Sequence, residues 1–239
     1  MRVSRFYVTQ PITANASLNL TGDRAHYLGK VLRATPGTLL CLFNDSGLQF
    51  DAEVLSVSKH EVLVQVKEGR DPATESPLQT LLALGISRGE RMDFAIQKST
   101  ELGVTAIQPL FTTHCEVKLE GSRQDKRIEH WQQVAISACE QSGRVKVPTV
   151  LPPLSLAAFL EQCSAQVKLV FDQAEAQRIE GDAPQGEVAL LIGPEGGLAP
   201  EEITQAREKG FVGIQLGPRI LRTETAPAAA LAVLQHVWG

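Results

Sequence analysis

Val188-Ala-Leu-Leu-Ile-Gly-Pro-Glu-Gly-Gly197 is five unbroken apolar residues running into a stiff turn with few side chains. An apolar run of this length, followed by a turn and then a helical pattern, reads as a strand buried on both faces of a sheet. In an open α/β sheet, ligands bind beyond the carboxyl ends of the strands, so residues 193–197 stand where a site would be. Gly193, Gly196 and Gly197 lack Cβ atoms, which would let a planar ligand lie against the backbone and pair with its polar groups. Glu195 is the single carboxylate of the turn. The spacing is neither Gly-x-Gly-x-x-Gly nor a Walker loop, which disfavours pyrophosphate. On pattern alone, a tight strand-to-helix turn explains the stretch as well as a ligand site does.

Toward the carboxyl end, the strand-like run Val212–Leu216 enters a second loop, Gly217-Pro-Arg-Ile-Leu-Arg-Thr-Glu-Thr-Ala-Pro227, and then an alanine-rich helix. Thr225 reads as its N-cap and Pro227 as a first-turn residue. Two such loops at two strand ends would form opposite walls of one cleft. Arg219, Arg222 and Glu224 read equally well as solvated surface charges.

Upstream of 188, short apolar runs (Leu81–Ile86, Val104–Leu110, Val167–Phe171) alternate with helical patterns (Arg91–Leu102, Lys126–Gln141, Leu156–Gln162), and Pro200–Lys209 adds a further helix. Strand, helix, strand, repeated, predicts an α/β fold with a largely parallel sheet covered on both faces. Ser122 with Asp125 opens a helix that places Ile128, Trp131, Ala135, Ala138 and Cys139 on one side, and Gly143 closes it. Pro200, Glu201 and Glu202 open another that Lys209-Gly210 ends.

Glu68–Pro77, rich in Gly, Pro and small polar residues, reads as an inter-domain linker, dividing the chain into 1–72 and 73–239. Before it, Thr38–Phe43, Leu48–Val57 and Glu61–Lys67 are strand-like, with Val62, Val64 and Val66 alternating, and Asn44–Gly47 is a turn. Asp23–Arg33 reads as one helix with Tyr27, Leu28, Val31 and Leu32 on a buried face. The smaller part is therefore a mainly β module.

With 43% hydrophobic and 21% charged residues, the composition is that of a globular protein. No signal-peptide core or membrane-spanning run is evident, so a cytoplasmic location is expected. Cys41, Cys115, Cys139 and Cys163 are widely spaced and read as small buried hydrophobes; no disulfide framework and no metal site is expected. Net charge is −4, with eight basic and seven acidic residues in 1–72 and 15 basic and 20 acidic in the remainder. Binding of nucleic acid by a global field is disfavoured, leaving local patches and shape.

Ile192-Gly-Pro-Glu-Gly-Gly197 and Leu216-Gly-Pro-Arg-Ile-Leu-Arg-Thr-Glu-Thr-Ala226 resemble the cofactor-binding motifs of the SPOUT class, and specifically those of the RsmE family. Arg91–Gly103, Ala138–Arg144, Arg5-Phe-Tyr7 and His26–Arg33 extend the resemblance over nearly the whole chain. It implies a PUA-like β-barrel for 1–72 and a SPOUT α/β domain for 73–239 whose carboxyl-terminal part is threaded as a trefoil knot. It also implies a homodimer and transfer of a methyl group from S-adenosylmethionine to N3 of a uridine in small-subunit ribosomal RNA, free or in the assembled subunit. Periodicity alone suggests an ordinary doubly wound sheet with no knot. One departure stands out. Where relatives carry an acidic–basic pair after Ile107–Pro109, this chain has Thr113-His114, which puts an RNA or interface contact there in doubt and is expected to leave the two cofactor loops untouched.

By the same resemblance, the candidate cofactor contacts are Phe171, Gly193, Pro194, Glu195, Gly196, Gly197, Leu216, Gly217, Ile220, Leu221 and Arg222. Methyl transfer needs an in-line nucleophile, and uracil N3 becomes one only after losing its proton, so Glu195 and Arg222 are the candidate catalytic groups. Arg5, Arg24, Lys30 and Arg33 are candidate phosphate contacts of the β module, each reading equally as an ordinary surface charge. Two other readings stay open: a related methyltransferase acting on a ribose 2′-oxygen of transfer RNA, and a non-catalytic RNA-binding assembly factor.

Overall fold

The computed structural model describes residues 3–172 and 178–239. The chain forms two units: one comprises the chain up to Glu75 together with Cys139–Lys146, the other Ser76–Ala138 with Val147–Gly239.

The first unit is a five-stranded sheet built from β1 (Ser4–Tyr7), β2 (Ser17–Thr21), β3 (Leu39–Phe43), β4 (Gln49–Val57) and β5 (Glu61–Arg70), in the order β1-β3-β4-β5-β2. β1 runs parallel to β3; the other pairings are antiparallel. Period-two alternation places Val62, Val64 and Val66 in a core with Phe6, Leu20, Leu40, Leu42 and Val54. The two strands that the pattern did not signal, β1 and β2, are short and sit at the two ends of the sheet order.

The predicted helix over Asp23–Arg33 is corrected. α1 spans only Gly22–His26 and widens into a π-helical turn at Tyr27–Val31. Leu32 N–H donates to Tyr27 O and Ala34 N–H to Leu28 O, so the spacing exceeds 3.6 residues per turn and the apolar stripe is broken. Leu28 and Ala25 are buried, while Tyr27, Val31 and Leu32 are exposed.

The predicted linker is largely ordered into this unit. Glu68–Arg70 complete β5, where a Cβ on Gly69 would meet the Phe50 ring at 2.6 Å. Glu75 accepts from the N–H groups of Val145 (2.8 Å) and Lys146 (3.1 Å) and pairs with buried Arg144 at 2.9 Å. Burial alone would raise the Glu75 carboxyl, but Arg144 and the two N–H groups outweigh it and hold the pKa below the usual range.

The described residues of the second unit form seven strands: β6 (Thr80–Gly85), β7 (Ala106–Phe111), β8 (Thr149–Val150), β9 (Leu154–Ser155), β10 (Val167–Phe171), β11 (Val188–Ile192) and β12 (Val212–Ile214). Their order is β12-β10-β11-β6-β7-β8, with β9 also on β7, and every pairing is parallel. All five residues of β11 are buried. Val188, Leu190 and Ile192 face one core, with Met92 and Ile96 of α2 (Glu90–Glu101), Trp131 of α3 (Ser122–Ser142), and Leu231 and Leu234 of α6 (Thr225–Trp238). Ala189 and Leu191 face another, with Phe159 of α4 (Leu156–Gln162), Ala206 of α5 (Pro200–Glu208), and Phe211. Two covered faces explain why the strand is apolar without alternation.

Gly143 closes α3 with φ +93° and its N–H on Cys139 O, as its position predicts. Thr225 is not the cap of α6: Glu224 holds that position, without a side-chain capping bond, and Thr225 is the first helical residue. Cys41 and Cys139 are buried, but Cys115 and Cys163 are only partly so.

Candidate functional site

The turn 193–197 after β11, the segment 220–224 before α6 and Ala226 in its first turn line one cavity of about 600 Å³, completed by Phe171 and Asp172 at the end of β10. Ile192, Leu198, Ile203 and Leu221 supply apolar wall; Arg91, Glu195, Arg222 and Glu224 supply charge. The two turns are fastened to each other: Thr223 Oγ1 donates to Gly193 O at 2.9 Å and lies 3.3 Å from Ser87 Oγ.

The glycines serve the protein's own packing more than a ligand's approach. A Cβ on Gly193 would lie 2.7 Å from Gly197 C and Leu198 N, and one on Gly196 would lie 2.8 Å from the Cβ of His114. Gly197 has φ +71°, where a side chain is strained. The tight-turn reading and the cavity therefore hold together, because the turn's shape is what leaves the cavity open.

Glu195 accepts from Arg88 N–H at 2.9 Å and pairs with Arg91 at 3.0 Å. Burial pushes its pKa up, but the backbone N–H groups of Arg88 and of Glu195 itself, then Arg91, outweigh this and hold the carboxyl below its ordinary value. Such a carboxylate is a poor proton acceptor at neutral pH. Arg222 is largely exposed, its guanidinium 4.0 Å from Glu224.

Of the sequence-predicted contacts, Phe171, Gly193, Pro194, Glu195, Gly196, Gly197, Ile220, Leu221 and Arg222 line the cavity. Leu216 and Gly217 do not: Leu216 packs against the sheet core, and Gly217, with φ +81°, turns the chain before it reaches the cavity. Asp172, Thr223 and Glu224 are lining residues that the sequence reading did not select. Asp172, directly after an apolar strand, is 8% exposed and pairs with Arg207 at 2.8 Å. Glu224 lines the cavity, while its Oε2 is buried with no hydrogen-bond partner among the described residues. The mixed lining suits a ligand that is part apolar and part charged.

The expectation that Thr113-His114 leaves the cofactor loops untouched is overturned. His114 Nδ1 lies 3.0 Å from Gly196 O and 3.2 Å from Gly197 O.

In the β module, Arg5, expected as a phosphate contact, is engaged internally. Its guanidinium donates to Gln49 and to the carbonyls of Gly143 and Arg144 (3.0 Å each), and lies 5.1 Å from the Phe43 ring centroid. Arg24 pairs with Glu140 at 2.9 Å. Lys30 and Arg33 are exposed and carry no carboxylate partner among the described residues.

The RNA methyltransferase domain model matches residues 74–235, and the RNA methyltransferase PUA domain model matches 20–67. The ribosomal RNA small subunit methyltransferase E of Buchnera aphidicola subsp. Schizaphis graminum is 36% identical over 241 residues, covering 100% of this chain and 98% of that protein. That of Bacillus subtilis is 33% identical, covering 95% and 93%. The Neisseria gonorrhoeae enzyme of the same name, crystallised with S-adenosylmethionine, superposes with a TM-score of 0.93 at 39% identity, covering 100% of this chain and 99% of that one. A Legionella pneumophila protein solved in complex with the same cofactor gives 0.92 at 38%, with the same coverage. Matched in both units and aligned end to end with these relatives, the chain belongs to the ribosomal RNA small subunit methyltransferase E (RsmE) family, with a PUA-like amino-terminal domain and a SPOUT-type α/β domain.

Proposed function

We infer that this protein transfers a methyl group from S-adenosylmethionine to N3 of a uridine in small-subunit ribosomal RNA. The observation that carries the reading is the shared cavity: the glycine-bearing turn after β11, the end of β10 and the segment that leads into α6 enclose about 600 Å³ that is part apolar and part charged. Relatives bearing the same name, and a same-fold enzyme crystallised with the cofactor, support it.

The cofactor, when bound, supplies an electrophilic methyl group on a sulfonium. Phe171, Ile192 and Leu221 would hold its adenosine, with the backbone of 193–197 and 220–223 pairing the base. Glu224 would face positive charge. Holding the reacting atoms in line contributes on the order of 7–11 kcal/mol to such a transfer. Arg222, exposed beside the cavity, is the cation we assign to favour the uracil anion; Glu195 shapes the site by holding Arg88 and Arg91, not by taking the proton. The target base must be turned out of its stack to reach the methyl group. RNA capture falls to Lys30 and Arg33 of the β module, a domain we bound at residue 72. A knotted carboxyl-terminal threading, a homodimer and a cytoplasmic location complete the proposal; among the described residues no helix is long and apolar enough to cross a membrane.

Mass spectrometry of small-subunit ribosomal nucleosides tests it. Cells lacking this protein should lose one 3-methyluridine, restored by the wild-type gene; an unchanged nucleoside profile would refute the uridine assignment.

A further inference from the structure

A backbone carbonyl oxygen can only accept a hydrogen bond, so the contacts of His114 Nδ1 with Gly196 O (3.0 Å) and Gly197 O (3.2 Å) require the proton on Nδ1. The ring thus holds two successive carbonyls of the cofactor turn through one shared N–H. The fit is tight on the same side, since a Cβ on Gly196 would approach the His114 Cβ to 2.8 Å. The backbone next to His114 is anchored. The neighbouring Thr113 N–H donates to Glu202 Oε1 at 2.8 Å, and Glu202 Oε2 accepts from Ala199 N–H, also at 2.8 Å, at the start of α5. Glu202 is 8% exposed, so this anchor is buried. Ala199, two residues beyond the turn, and Thr113, the neighbour of the gripping residue, are therefore tied to one carboxylate.

His114 does not line the cofactor cavity; it lines a neighbouring one of about 540 Å³ with Arg88, Arg91, Glu116 and Glu195. Gly196 belongs to both. We propose that His114 is a positioning residue: by gripping the Gly196 and Gly197 carbonyls it presets the turn in its cofactor-binding shape. The proposal rests on the cofactor reading of the larger cavity.

Calorimetric titration of the full-length protein with S-adenosylmethionine, alongside amide hydrogen exchange without cofactor, separates the possibilities. His114→Leu keeps the bulk and loses the donor, whereas His114→Asn places an amide N–H where Nδ1 stands. The expected result is a Kd raised about 3- to 10-fold for H114L, the loss of one neutral hydrogen bond. H114N should stay within about 2-fold, and amides of 196–198 should exchange faster in H114L alone. Equal Kd values for H114L and wild type, or equal losses in H114L and H114N, would overturn the donor role. If wild type bound no cofactor while H114L still exchanged faster, the grip would stand and the cofactor reading would fall.

Discussion

Glu195 shows how an environment decides a residue's role. It is the lone carboxylate of the turn, which made it the natural candidate base, yet two N–H groups and Arg91 stabilise its ionised form. A folded pKa below the unfolded one means the interaction is present above the unfolded value and is lost as pH falls through the folded one, so the Arg91 pair is intact at neutral pH. Glu195→Gln keeps an oxygen for Arg88 N–H and loses only an exposed ion pair, worth about 0–1 kcal/mol. Steady-state kinetics and cofactor titration should therefore show kcat and Kd each changing by less than about 5-fold. A fall in kcat of about 100-fold or more at unchanged Kd would restore Glu195 as the base.

At the scale of elements, the end of the first unit's main segment is held by specific bonds. Glu75 satisfies the N–H groups of Val145 and Lys146 just past α3 and neutralises Arg144, whose side chain is 5% exposed. Glu75→Gln removes the carboxylate charge that this pair supplies to a buried guanidinium, so it should cost about 2–4 kcal/mol in urea unfolding at pH 7. Because the Glu75 pKa is depressed, that stabilisation is present above the ordinary carboxylate pKa and disappears as pH falls through the folded value. The gap between wild type and variant should close in acid; a gap constant from pH 7 to pH 3 would count against the ion pair as its source. The π-helical turn after α1 belongs to the same scale. It turns Tyr27, Val31 and Leu32 outward beside Lys30 and Arg33, so the module presents an apolar and basic surface where a regular helix would have hidden its apolar face.

For the whole molecule, a preformed socket predicts linkage between cofactor and stability. Anything that binds only the folded state at about 100 times its Kd adds about 2.7 kcal/mol. In a chain of this size that corresponds to a rise in Tm of about 5–10 °C. Differential scanning calorimetry with S-adenosylmethionine should show it; cooperative melting with no shift would argue that the turns do not form a socket. The modest net charge of −4 fits an enzyme that selects a shaped RNA or an assembled particle over one that attracts nucleic acid at long range.

Fold class was legible because burial on both faces leaves a plain mark: β11 had to be apolar throughout, β5 had to alternate, and Gly143 and Gly210 had to end their helices. Both turns were legible for a related reason, since each follows a strand-like run, and the first is also poor in side chains. Contacts distant in sequence left no such mark. His114 meets Gly196 across 82 positions, Arg5 meets Gly143 across 138, and Thr223 meets Gly193 across 30. Local periodicity records which face of an element is buried; it carries no information on which distant carbonyl a donor will find. The sequence by itself therefore determined the longer strands, most of the helices and the two turns that border the cavity, while the short strands β1, β2, β8 and β9 and the break after α1 escaped it. Only the tertiary structure decided that Arg5 is an internal tie, that Leu216 and Gly217 stand back from the cavity, and that the departure at Thr113-His114 reaches the cofactor turn, because each depends on where the folded chain brings separate segments together.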